Sequence, residues 1–381
     1  MPRPPFIVIA DDLTGAAEMA ASAHRHGLSA TVLTRGLAPT SPADVWVFDT
    51  DSRLDSAAIA AAKITRLVPT LRALQPVLVF KKTDSVLRGP VRAELEALAH
   101  ALGLTQILLV PANPTLGRTV RAGRYSINGT PLHRTAFGRD PDHPATSDDV
   151  CALLGTMGTL TVHSRSAKQP LPARGIVIGD ASDEADLDTW ATFSRESSTL
   201  LAGASDFFAS LLRQRGHTAT TARPHAARPP GPTLILSGTT HPDAVVLRHA
   251  CPQAVARTAE HPIDIAAWAG ELRLRLVQQG LALAYFDGPL SNDPTLSLAL
   301  RATLAGVASH LIADRAFTHL IVEGGSTAAA ITHALDWSEL RLHHAWSPGV
   351  ASLRPASAPH FTLTLKPGSY SWPSALSPLS A

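Results

Sequence analysis

Short apolar runs of strand length recur along the whole chain, and most lead into a polar loop and then a helix-like stretch. Phe6–Ala10, Val45–Phe48, Val77–Phe80 and Gln106–Val110 are such runs in the first half. Thr233–Leu236, Leu281–Phe286 and His319–Val322 continue them in the second. Strands that alternate with helices are joined by crossovers, which gives parallel sheets covered by helices. The predicted fold class is therefore α/β. Two domains are expected, each a mostly parallel sheet flanked by helices. In such sheets ligands bind at the carboxyl ends of the strands, so the polar residues just after each run are the candidates for function.

With 381 residues and 45% hydrophobic content, the chain can bury two cores. Gly216–Pro232 carries Pro224, Pro229, Pro230 and Pro232 without periodicity, as an extended spacer would. The domains are accordingly placed at residues 1–215 and 233–381, with 216–232 as linker. Helices are expected over Gly15–His26, Ser56–Leu67, Val91–Leu102, Ile263–Gln279, Leu296–Asp314 and Ala328–Leu335. Asn113–Ser147 is long and irregular, which marks a functional segment, with a hairpin around Asn128-Gly129. Thr159–Val162, Gly175–Ile178 and Thr199–Leu201 read as further strands.

A net charge of +2 without a basic run argues against bulk nucleic-acid binding. Cys151 and Cys251, far apart and without a C-x-x-C, argue against a disulfide framework and a Cys-based zinc site. No leader is visible at the N-terminus and no apolar stretch reads as a membrane span, so a cytoplasmic protein is expected. Homo-oligomerisation is left open.

The first polar cluster is Asp11-Asp12-Leu13-Thr14-Gly15. Asp12 or Thr14 can simply cap the next helix. Two adjacent acids at a strand end, however, are costly unless cations or hydroxyls meet them. Such groups stand at neighbouring strand ends: Arg53 in one loop, and Lys81, Lys82, Asp84, Ser85 and Arg88 in another. Cations suit a carboxylate or phosphate, and ionised acids suit hydroxyls, so the ligand described is a small polyhydroxy acid. A self-paired solvated turn is the plainer reading of the basic cluster. In the second half Ser237-Gly238-Thr239-Thr240, Gly324-Gly325-Ser326-Thr327 and Gly368 offer small residues and backbone N–H groups to phosphates. The P-loop, dinucleotide, zincin and nucleophile-elbow motifs are all absent.

Together these stretches resemble one family, the four-carbon acid sugar kinases. Ile9-Ala-Asp-Asp-Leu-Thr-Gly-Ala16 matches its opening motif, and Lys82-Thr-Asp-Ser-Val-Leu-Arg-Gly89 is similar to its K-x-D-S-T-L-R-G segment. Pro111–Thr119, Gly129–Leu132 and Asp140-Pro141 resemble its irregular central part. The resemblance implies an ATP- and Mg²⁺-dependent kinase acting on the terminal hydroxyl of threonate, erythronate or an oxo-tetronate, in a cleft between the domains. It implies that Asp12, Arg53, Lys82, Asp84 and Ser85 hold the substrate, with Asp11 and Arg88 beside them. Asp11 or Asp12 would orient the attacking hydroxyl, with one of them or Asp84 taking its proton. It implies also that Ser237, Gly324, Gly325, Ser326, Thr327 and Gly368 line the nucleotide site, with no metal ligand assigned. This sequence departs from the family at Ser326, where an Asp is usual, and at Lys366-Pro367-Gly368-Ser369-Tyr370. Those departures keep one alternative open, an inactive sugar-acid binder; reading Asp11-Asp12 as a metal site gives another, a metal-dependent sugar-phosphate phosphatase.

Overall fold

The computed structural model describes residues 4–35, 38–140, 142–195, 198–219, 228–259, 263–288 and 293–380. Pro141 and residues 220–227, inside the expected spacer, lie outside the described residues. The chain divides into two compact units, Met1–Ala30 with Ala38–Thr220, and Thr31–Leu37 with Thr221–Ala381.

The first unit opens with β1 (Phe6–Ala10), whose five apolar residues are all buried, as a central parallel strand requires. The helix α1 (Leu13–Arg25) follows, and its alanines let it lie close on the sheet. A short strand, β2 (Ala30–Leu33), comes next and is paired in the second unit. β3 (Val45–Asp49), α2 (Ala57–Leu74), β4 (Leu78–Lys82), α3 (Val91–Leu102) and β5 (Gln106–Val110) continue the alternation. α2 outruns its predicted end at Leu67 and passes through Pro69, because the buried stripe Leu67, Val68 and Leu71 carries on beyond it.

The irregular segment forms a small antiparallel sheet of β6 (Arg118–Arg121), β7 (Arg124–Ile127) and β8 (Thr130–Pro131). Asn128 and Gly129, both at positive φ, make the expected hairpin turn. The unit closes with α4 (Val150–Leu154), β9 (Val162–Arg165), β10 (Gly175–Gly179), α5 (Glu184–Ala191), β11 (Thr199–Gly203) and α6 (Ser205–Gln214). The parallel strands lie in the order β3, β1, β4, β11, β5, β10, β9. Strand order reverses at β1, so the crevice of this sheet opens just beyond Ala10.

In the second unit β12 (Thr233–Ser237), α7 (Pro242–Ala250), β13 (Ala254–Thr258), α8 (Ile265–Gln279), β14 (Leu281–Asp287), α9 (Pro294–Ala313), β15 (His319–Glu323) and α10 (Gly325–Ala334) repeat the parallel pattern. β16 (Glu339–Ser347), β17 (Val350–Pro355) and β18 (Thr362–Lys366) do not. β16 runs antiparallel to β17 and to β2, and β17 antiparallel to β18. The second unit's sheet is thus mostly parallel, as expected, with its antiparallel part confined to β16, β17 and their neighbours. Pro348-Gly349 joins the two strands, with Gly349 at φ +73°. Strand order reverses at β12, which places this unit's crevice beyond Ser237.

One more expectation is overturned. Thr295–Ala313 of α9 is long and apolar enough, by length and composition, to cross a membrane. Its Leu304, Val307, Ala308 and Leu311 are nonetheless buried within this unit.

Candidate active site

Asp11 and Asp12 stand at the reversal point of the first sheet, and Arg53 grips both. Its Nε donates to Asp11 Oδ2 at 2.8 Å and its Nη2 to Asp11 Oδ1 at 3.1 Å. Nη1 and Nη2 donate to the two Asp12 oxygens, each at 2.8 Å. Four of the five guanidinium N–H groups are therefore engaged. The loop backbone is pinned as well, since the Ser52 and Arg53 amides donate to the Asp11 carbonyl. Asp12 also caps α1 by accepting from the Gly15 amide at 2.8 Å, and Thr14 Oγ1 donates to it at 2.5 Å. The helix cap and the candidate site therefore share Asp12. Gly15 has to be small, because a Cβ there would sit 2.6 Å from Asp12 Oδ1.

The loop after β4 wraps the other side. Asp84 accepts from Arg88 Nε and Nη2, both at 2.9 Å, and lies 3.8 Å from Arg53 Nη2. Arg88 Nη1 reaches Asp140 at 2.8 Å. Leu87 is held at φ 63°, one of the strained backbone positions that gather at functional sites. Gly89, at φ +85°, lets the loop touch the Arg53 carbonyl, which a Cβ would meet at 2.8 Å. Lys82 Nζ donates to the Thr83 carbonyl at 2.7 Å and lies 3.5 Å from Glu18. Ser85 accepts from Arg118.

Lys81 is separated from this cluster. Adjacent residues of a strand face opposite sides, and Lys81 is fully buried against Glu94 at 3.1 Å. Glu94 also accepts from Ser52 Oγ at 2.6 Å. Glu18 and Glu94 were missed by sequence reasoning. An acid within the apolar stripe of each helix was the signal, since buried acids need partners.

Burial pushes the Asp11 carboxyl up, but the charges of Arg53, Lys81 and Lys82 outweigh it and hold its pKa below the usual value. Asp84 is likewise pushed up by burial, yet Arg88, Arg53 and Lys82 hold it well below. Both are ionised at neutral pH. Asp49, at the end of β3, goes the other way. Burial and the nearby Asp51, Asp12 and Asp11 charges push its carboxyl well above 3.8.

In the second unit Ser237, Glu323 and Lys366 are aligned across three adjacent parallel strands. Lys366 Nζ and Ser237 Oγ each donate to Glu323 at 2.6 Å, and Trp372 Nε1 donates at 3.2 Å. This buried pair was also missed in the sequence. Ser237 and Thr327 are both buried, whereas Gly324, Gly325 and Ser326 reach the surface at the start of α10. Gly324, at φ +116°, begins that helix without a side-chain hydrogen bond capping its first turn. Gly238 and Gly368 pack so closely on Thr327 and Thr239 that a Cβ on either would collide.

Residues 6–211 match the model of a sugar-binding N-terminal domain, and residues 239–370 that of a nucleotide-binding C-terminal domain. The chain belongs to the four-carbon acid sugar kinase family. Within that family it is 31% identical to a D-threonate kinase of Bordetella bronchiseptica, over 89% of this chain and 87% of the relative. A D-threonate kinase of Cupriavidus necator is 31% identical over 91% and 89%. A 3-oxo-tetronate kinase of Brucella melitensis biotype 1 is 27% identical over 95% and 92%. Among solved structures, a Salmonella typhimurium LT2 protein superposes with a TM-score of 0.79 at 21% identity, over 97% of both chains. A Haemophilus influenzae protein does so at 0.72 and 19%, over 98% of both. These two likenesses bear on the fold.

Asp49 gives this member of the kinase family a testable pH dependence. Its folded pKa is raised, so the unfolded chain ionises first, and stability falls as pH rises from 3.8 through the folded pKa. Asp49→Asn keeps an acceptor for the Asp51 amide, which lies 2.9 Å from Asp49 Oδ1, but never ionises. The variant is expected to raise Tm at pH 8 by more than at pH 5. Equal Tm shifts at the two pH values would refute the assignment.

Proposed function

We propose that the protein is an ATP-dependent kinase that phosphorylates the terminal hydroxyl of a four-carbon sugar acid: threonate, erythronate or an oxo-tetronate. The observation that carries this reading is the Asp11–Asp12–Arg53 clamp at the β1 reversal point, in a chain of this family.

Phosphoryl transfer through a loose transition state asks the protein mainly for positioning and charge neutralisation. Asp84, held well below its usual pKa by Arg88, Arg53 and Lys82, is a poor proton acceptor. It serves instead to hold Arg88 and face Arg53. Orientation of the attacking hydroxyl, and removal of its proton, then fall to Asp12. Lys82, Ser85 and Arg88 would complete the sugar-acid contacts.

ATP enters as its Mg²⁺ complex. Both Glu323 oxygens are occupied by Lys366, Ser237 and Trp372, and the family's Asp is Ser326 here. We assign the phosphates to backbone N–H groups of Gly324–Thr327, with Gly238 and Gly368 giving close approach, and the metal to the nucleotide's own oxygens. Metabolism of a sugar acid in the cytoplasm fits this reading.

A coupled assay for ADP across D-threonate, D-erythronate and the 3-oxo-tetronates tests it, with the phosphoester identified by phosphorus NMR. Turnover of at least one acid is expected; silence with all of them would sink the proposal. The serine at position 326 favours one second reading, a sugar-acid binder without transfer activity. Calorimetric titration with ATP-Mg²⁺ separates the two, since the binder gives no nucleotide heat.

A further inference from the structure

The proposed substrate carries a negative carboxylate, and its site is already rich in acids. Asp11 and Asp12 face Arg53, and Asp84 and Asp140 face Arg88. Lys82 faces Glu18. Every one of these cations has at least one carboxylate of its own. An incoming anion gains little from a cation already neutralised, and it is repelled by the surplus acids.

Arg118 stands apart from this pattern. It begins β6 and is bridged to Asn113 through backbone hydrogen bonds in both directions. It forms no ion pair among the described residues. Its Nη1 donates to Ser85, a neutral hydroxyl next to Asp84 in the chain. The guanidinium lies over the Phe137 ring at 5.4 Å from the centroid, and that of Arg88 lies over the same ring at 5.2 Å. A planar fork resting on an aromatic ring has a fixed orientation and keeps its remaining N–H groups for a bidentate partner.

We propose that Arg118 takes the carboxylate of the sugar acid, beside Ser85, and thereby selects acids over neutral polyols of the same length. Phe137 is a positioning residue that fixes the plane of the fork. The proposal rests on the sugar-acid reading above and adds the residue that recognises the acid group.

The test is calorimetric titration of D-threonate, D-erythronate and neutral threitol, without nucleotide, into wild type, Arg118→Ala and Arg118→Lys. Arg118→Ala is expected to weaken acid binding roughly 10- to 100-fold, the range for losing charged hydrogen bonds, and to leave threitol unchanged. Arg118→Lys, a point charge without the fork, should fall between wild type and Arg118→Ala. In turnover, KM for the acid should rise while KM for ATP holds. Equal acid affinity in all three proteins, or equal losses for acid and threitol, overturns the proposal. If Arg118→Ala does not fold, Arg118→Lys alone decides, because wild-type acid affinity in that variant refutes a role for the fork. Absence of acid binding to wild type overturns it too. A wild type that binds the acid but transfers no phosphate removes the kinase reading and leaves Arg118 standing.

Discussion

Replacing Asp12 with Asn is expected to lower kcat about 10²- to 10⁴-fold, the usual range for losing a positioned general base. The fold should tolerate the change. Asn is as good a helix cap as Asp, and its amide oxygen can still accept from the Gly15 amide, now 2.8 Å from Asp12 Oδ1. What disappears is the charge that meets Arg53 through two 2.8 Å bonds and the acceptor oriented by Thr14. Asp84→Asn provides the contrast. It releases Arg88 and weakens substrate binding, so KM should move more than kcat. Turnover of Asp12→Asn within a few-fold of wild type, with an intact thermal transition, would remove Asp12 from the chemistry.

The second large effect concerns stability. Lys81→Met strands the Glu94 carboxylate, and breaking a buried ion pair in this way typically costs about 3–5 kcal/mol. Burial pushes the Glu94 pKa up, and Asp11 adds to this, while Lys81 opposes both. Without Lys81 the pKa rises further, and Glu94 can relieve the strain only by binding a proton. A carboxyl with a raised folded pKa loses stability as pH increases, so the penalty should be larger at pH 8 than at pH 6. The double variant Lys81→Met with Glu94→Leu should recover most of the loss. Urea midpoints of wild type, Lys81→Met, Glu94→Leu and the double variant at both pH values measure this. Independent, additive effects of the two substitutions would show that the pair is not coupled.

The candidate site's residues were legible in the sequence where local pattern places them at one sheet edge. An all-apolar run such as Phe6–Ala10 has to be a central strand, and the residues just after a central strand sit at the ligand edge. Asp11, Asp12, Arg53, Lys82, Asp84, Ser85 and Arg88 were all visible on that ground. Their pairing was not, because which carboxylate meets which cation depends on strand order, and β1 is flanked by β3 and β4. Lys81 and Lys82 looked alike as neighbours in a charged run. Only the twofold period of the strand, which had to be applied one residue further than Phe80, sends them to opposite faces.

The antiparallel pair β16–β17 was hidden for another reason. His343-His344 and Trp346 break the apolar alternation that marks a strand, and β16 is only half-buried over much of its length. α9 escaped the membrane-length test because the eye stops at Ser297, Arg301, Thr303 and Ser309, which interrupt the run without making it polar on average. Arg118 had been noted inside a motif, but its lack of a carboxylate partner is a property of the folded neighbourhood.

One feature of the topology governs the order in which this protein can be completed. The segment Thr31–Leu37 belongs to the second unit, where β2 pairs with β16 and Thr34 Oγ1 donates to Trp337, 303 residues further on. A ribosome adding 5–20 residues per second needs roughly 15–60 s to make that partner. Until then the early strand waits for its β16 partner. The second unit therefore cannot be finished, or expressed whole, as a contiguous C-terminal fragment. Such a fragment would carry an open strand edge and tend to self-associate, and a peptide spanning β2 supplied in trans should suppress that.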